Sequence, residues 1–244
     1  MQLNVQRKPN GMPIISKAQM DKLGCDILEE YMPEVLKEPQ TIDIRHLVED
    51  GIILDIWETA FPIQNILGMV AFDDVKIPIA NDGVLAVHEG TIVLASHLHN
   101  KTTKWRFTAA HEASHWVLHR QYFSPSNNTY SFRQSQYSYI SSKNDDSEKG
   151  KKNPKEAKCD DDWQEWQADY LAAAILMPKT TFIEATRSSL KRHGFHDMRL
   201  VSGENIEGGM RVIKELADIF QVSMRSVRIR MRQFAMYVGD CSQS

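Results

Sequence analysis

His111 and His115 stand four residues apart with Glu112 beside the first of them. On a helix this spacing projects both imidazoles from one face, about one turn apart, so both reach a single zinc ion at ~2.0–2.1 Å. Glu112 then points beside the metal, where it takes a proton from metal-bound water. Histidines at this spacing also occur on solvated amphipathic helices. Here Phe107, Trp116 and Leu118 flank them and argue for a helix anchored in a core. Catalytic zinc takes three protein ligands and keeps one position open. His119 lies a further turn along the same helix, and no glycine intervenes to bring it back to the same ion. Glu165 is the better third ligand. Asp169, four residues on and on the same face, is placed to hold a histidine N–H and fix its tautomer. Both carboxylates open a segment whose LAAAIL run is apolar on every side, where an unpaired carboxylate is costly and a metal partner favourable.

The surrounding sequence supplies elements to position these groups. Ser16 and Gln19 form a capping-box pattern. Met20, Leu23, Ile27 and Tyr31 follow at helical spacing, and Pro33 closes the segment. TIDIRHLVEDG predicts a short second helix ending at Gly51. Between residues 52 and 97 the texture changes to short apolar or alternating runs, IILDIW, GMVAFD, VKIPI, GVLAV and TIVLAS, broken by turn residues such as Asn81-Asp82-Gly83. These predict strands of a small, mainly antiparallel sheet packed on the helix that carries His111 and His115. TIVLAS reads equally as an edge strand that takes up an extended peptide or as an ordinary core strand. Residues 124–162 differ: from Ser141 on, six lysines face seven acidic residues, and Ala157 and Cys159 are the only apolar side chains. Such a stretch buries too little surface to offset its ordering entropy, which predicts a long mobile insertion. A second helix, DDWQEWQADYLAAAIL, then runs up to Pro178.

The expected organisation is α+β, with residues 1–180 as one domain and 181–244 as a helical C-terminal segment. In that segment LADIFQVSMRSVRIRMRQF has a helix-turn-helix-like pattern: Ala217, a turn over 220–223 with Gln221 where glycine is usual, then Val227, Met231 and Phe234. Arg225, Arg228 and Arg232 line another face, which would have to meet phosphates and base edges for DNA reading. Packing on the rest of the chain, or on a protein partner, is the favoured role. A net charge of −3 over 244 residues removes whole-protein electrostatics as an argument for nucleic-acid binding. Three cysteines far apart exclude a disulfide framework or a cysteine zinc cluster. The N-terminal residues lack an apolar signal region and no apolar run approaches membrane-spanning length, so a soluble, cytoplasmic protein with no membrane partner is expected.

FTAAHEASHWVLH followed by EWQADYLAAAILMP resembles the ImmA/IrrE family of zinc metallopeptidases, whose H-E-x-x-H helix is followed by an E-x-x-A-(N/D)-x-(F/L)-A-A-x-(L/I)-L-M-P helix. The resemblance covers most of residues 15–180. It implies a zincin-like fold in which His111, His115 and Glu165 bind Zn²⁺, Glu112 is the general base and Asp169 stands behind a ligand. Ala113-Ser114 replaces the more usual Leu-Gly, and the 49 residues between His115 and Glu165 make an unusually long connection. The implied activity is intracellular cleavage of a specific protein, a DNA-binding helix-turn-helix repressor. In that chemistry zinc polarises the scissile carbonyl, and Glu112 accepts the water's proton and passes it to the leaving amine. His97, His99 and the tyrosines of the insertion are candidates to support the oxyanion. The competing expectation is a DNA-binding or stress-sensing regulator with a non-proteolytic zinc site; an acid at position 112 favours the enzyme.

Overall fold

The computed structural model describes residues 5–63, 65–99, 102–123, 132–134 and 160–238. Helix α1 (Lys17–Tyr31) starts at the expected capping box: Ser16 Oγ accepts the Gln19 N–H at 3.3 Å and Gln19 Oε1 accepts the Ser16 N–H at 2.9 Å. Its Met20, Leu23 and Ile27 are buried, and Pro33 opens a 3-10 turn where the helix ends. Asp43 caps the short α2 (Ile44–His46), which continues as a π-helical turn over Leu47–Ile52.

All five expected strands form: β1 (Asp55–Thr59), β2 (Gly68–Ala71), β3 (Val75–Ile79), β4 (Gly83–Val87) and β5 (Thr91–Ala95). They build a four-stranded sheet in the order β1-β5-β2-β6 and a separate β3-β4 hairpin. Asn81 and Asp82 both take left-handed φ, 62° and 56°, which reverses the chain between β3 and β4. The main sheet is mixed, because β5 runs parallel to β1 and antiparallel to β2. It therefore departs from the mainly antiparallel expectation in one pairing. TIVLAS proves to be an interior strand, with partners on both sides, so its edge is not open to a peptide. The short β6 (Phe132–Gln134) pairs antiparallel with β2. It lies inside the expected 124–162 insertion; residues 124–131 and 135–159 lie outside the described residues.

The period-2 alternation of β2 and β5 gives the sheet two buried faces. Val70, Ile92 and Leu94 join the large core that holds the helices, whereas Met69, Ala71, Val93 and Ala95 meet Ile77 and Val87 of the hairpin. Helix α3 (Thr102–His119) crosses the first face, and α4 (Asp160–Leu176) packs along α3. α1 lies against α4 closely enough that a Cβ on Gly24 would sit 3.1 Å from Ala174 Cβ.

Helices α5 (Lys179–Arg192), α6 (Ile206–Phe220) and α7 (Met224–Gln233) follow, with β7 (Leu200–Val201) parallel to β8 (Tyr237–Val238). Gln221 turns between α6 and α7 with φ 51°, the left-handed conformation for which glycine is usual. Ala217, Phe220, Val227 and Met231 are buried as the apolar stripe requires. Two arginines of the expected face pack on the molecule itself: Arg228 donates to Met210 Sδ, and Arg232 lies over the Tyr237 ring. Arg230, which the sequence did not single out, is 0% exposed. It donates to Asp21 Oδ1 at 2.7 Å and to the Met177 carbonyl at 3.2 Å, tying α7 to α1 and to the end of α4. No helix among the described residues is long and apolar enough to cross a membrane.

Candidate metal centre

Two helices converge on one buried point. The i, i+4 spacing on α3 stacks His111 and His115 edge to face, ring centroids 4.7 Å apart, with their Nε2 atoms 3.0 Å from each other. Small side chains at Ala109, Ala110, Ala113 and Ser114 let this part of α3 bury completely. Ser114 keeps its hydroxyl satisfied on the Ala110 carbonyl at 2.7 Å. α4 then delivers Glu165, whose Oε2 lies 3.3 Å from His111 Nε2 and whose Oε1 lies 3.5 Å from His115 Nε2. One ligand atom from each of the three residues falls within 4.8 Å of the others, and all three residues are buried. The structure thus brings together the three side chains that the sequence selected, as a group able to hold a metal ion.

The far sides of the imidazoles are also held. Asp169 Oδ1 lies 3.2 Å from His111 Nδ1, the place expected of it. His119 stays out of the triangle, as its position one turn on requires, yet it has a role that the sequence reading missed. Its Nδ1 lies 3.1 Å from His115 Nδ1, and its Nε2 lies 2.9 Å from Gln167 Oε1. The signal was present: 111, 115 and 119 repeat the same four-residue spacing, which stacks the third ring on the outer nitrogen of the second. Gln167 carries no such signal, because only the packing of α4 on α3 brings it to His119.

The electrostatics follow from burial and neighbours. Burial disfavours a charged His111, but the carboxylates of Asp169 and Glu165 outweigh it and hold the pKa well above 6.5. Burial alone would raise Glu165, whereas the two imidazoles hold its carboxyl well below the usual range. His119 is lowered to about 3, first by burial and then by His115 beside it, so its ring is neutral. The centre draws positive charge and is backed on one side by a carboxylate and on the other by a neutral ring.

Glu112 is buried on the helical turn between His111 and His115, against the start of β2, where a Cβ on Gly68 would lie 3.2 Å from its Oε1. His97 and His99 are exposed on the turn before α3, and His99 Nδ1 meets Glu58 at 2.9 Å. The tyrosines considered for oxyanion support lie outside the described residues. No protein-family model matches the sequence, and no curated protein matches it.

Proposed function

We propose that this chain is a zinc-dependent endopeptidase that cuts a specific protein inside the cell, a DNA-binding helix-turn-helix repressor. The observation that carries the reading is the His111–His115–Glu165 triangle with Glu112 buried beside it. The two Nε2 atoms lie 3.0 Å apart, and Glu165 brings one carboxylate oxygen to 3.3 Å from His111 Nε2 and the other to 3.5 Å from His115 Nε2, spacings that suit a tetrahedral ion. Ligand bonds of ~2.0–2.1 Å at tetrahedral angles separate neighbouring donors by about 3.3 Å. Two histidines and one glutamate are also a catalytic zinc set, three ligands that leave the fourth position for chemistry. The ImmA/IrrE-like pairing of the two helices supports the choice of substrate.

Zinc bound there would supply Lewis acidity toward the scissile carbonyl and toward water. The protein's own residues do the rest. Asp169 and His119 hold the two rings in place. Glu112 takes a proton from the water that attacks the carbonyl carbon and returns it to the amine nitrogen as the C–N bond breaks. Burial of the ligands in the main core keeps this geometry fixed while a substrate binds and leaves.

Zinc content and terminal-labelling proteomics test the reading together. Protein purified without chelator should carry about one zinc per chain, and His111→Ala or His115→Ala should lose most of it. Incubated with an extract of its own cells, the wild type should generate new N-termini in a helix-turn-helix repressor. Glu112→Gln should keep its zinc and cut at least ~100-fold more slowly. A wild type without tightly bound zinc, or a Glu112→Gln protein that cuts at the wild-type rate, would overturn the proposal.

A further inference from the structure

A chain of hydrogen bonds leads from His115 to the N-terminal segment, and its direction can be assigned from one end. Pro13 offers only a carbonyl oxygen there, an acceptor. Gln167 meets it through Nε2 at 2.9 Å, so the amide nitrogen faces Pro13 and the amide oxygen faces His119. His119 Nε2 must then be the donor of the 2.9 Å contact with that oxygen. The ring is 0% exposed and faces an amide on one side and an imidazole on the other, surroundings that keep it neutral. A neutral imidazole with its proton on Nε2 has a lone pair on Nδ1. The 3.1 Å contact between His119 Nδ1 and His115 Nδ1 is therefore donated by His115. With its proton fixed on Nδ1, His115 presents the Nε2 lone pair toward His111 and Glu165.

We infer that Pro13, Gln167 and His119 form a polarised relay that sets the tautomer of His115 for metal binding, with His119 and Gln167 as positioning residues. The inference rests on the reading of His115 as a metal ligand and extends it. The two histidine ligands are oriented by unlike means: Asp169 acts on His111 with a charge, while the relay acts on His115 without one. The relay thus fixes a ring without adding a second negative charge behind the site. It also joins the metal centre to the segment before α1, which Arg7 binds to the end of α3 through the Leu118 carbonyl at 3.2 Å.

Chelator-competition titration with zinc and nitrogen-15 spectra of the histidine rings, both on the full chain, test this. His119→Leu and Gln167→Met remove the hydrogen bonds at similar volume and should weaken zinc binding ~10–100-fold. His119→Asn places an oxygen acceptor near the position of Nδ1 and should stay within about threefold of the wild type. A role confined to packing would not distinguish Asn from Leu in that direction. The wild-type spectrum should show the His115 proton on Nδ1, with a coupling across the bond to His119 Nδ1. Wild-type affinity in both His119→Leu and Gln167→Met, equal losses in the Leu and Asn variants, or a bare Nδ1 on His115 would overturn the relay. The spectrum can be taken without metal. A wild type that binds no zinc therefore rejects the metal reading, while the proton's position still decides the relay.

Discussion

Glu112 depends on a residue that does no chemistry. Gly68 opens β2 directly against α3, and a Cβ there would lie 2.7 Å from Thr108 Cγ2, 3.0 Å from Leu94 Cδ2 and 3.2 Å from Glu112 Oε1. The first distance is closer than atoms tolerate, so Gly68→Ala must push the strand and helix apart. Overpacking of this kind costs about 1–3 kcal/mol. If Glu112 is the general base of the proposed peptidase, a shift of its carboxylate by a fraction of an ångström slows the reaction more than it weakens metal binding. Gly68→Ala should therefore melt earlier and cut more slowly while retaining its zinc. Adding Thr108→Ser deletes the Cγ2 and should recover part of the melting temperature. A double variant no more stable than Gly68→Ala alone would show that the Thr108 contact is not the cause. The pairing of His111 with His115 was legible in the sequence because helical spacing alone places them on one face. Gly68 was not, because its closeness to Glu112 arises only when β2 and α3 pack. Spacing tells only that His119 lies too far along the helix to join the triangle; its partner is the nitrogen on the other side of His115.

Elements were legible where their signals are local. The capping box at Ser16, the alternating runs of β1 to β5 and the left-handed turn at Asn81 each follow from a few neighbouring residues. The order of strands did not, since β5 becomes interior only through parallel pairing with a strand more than thirty residues earlier. Its five buried residues suited a core strand and a covered edge strand equally. The docking of α6 on α5 is likewise tertiary, and Glu215 fastens it. This carboxylate accepts the Ser189 hydroxyl at 2.8 Å, pairs with His193 Nε2 at 3.0 Å and meets the Arg192 guanidinium. Burial pushes its pKa up, but the three partners outweigh that and hold it below the ordinary 4.5. A depressed folded pKa contributes stability that is present above the unfolded value and lost as pH falls through the folded one. The melting-temperature gap between the wild type and Glu215→Gln should thus be widest near neutral pH and shrink below pH ~4.5. A gap that stays constant across this range would show that the charge on Glu215 contributes nothing.

At the scale of the whole molecule, the division at residue 180 expected from the sequence meets a core that runs from Met12 to Met236 without a break. Phe182 and Phe220 are fully buried and belong to the same core as Leu171 and Ile175 of α4, one of the two helices that carry the candidate metal site. Arg230 ties α7 into that core. Its guanidinium meets Asp21, whose other oxygen accepts the Tyr170 hydroxyl at 3.1 Å, and the Met177 carbonyl closes the network. Helical periodicity picks out Arg225, Arg228 and Arg232 as one face and passes over Arg230, whose burial is decided by an aspartate some two hundred residues away. Removing one partner of a buried ion pair leaves the other charge stranded, which costs about 3–5 kcal/mol, whereas replacing both by groups of similar shape is often nearly neutral. Arg230→Met should accordingly lower the stability of the entire protein, seen as one shifted unfolding transition whether followed by circular dichroism or by tryptophan fluorescence. Asp21→Asn added to Arg230→Met should recover much of the loss, because asparagine still accepts from Tyr170 and leaves no charge behind. Two separate transitions in either variant would mean that residues 181–244 fold apart from the candidate metal site, and that the shared core does not make them one cooperative unit.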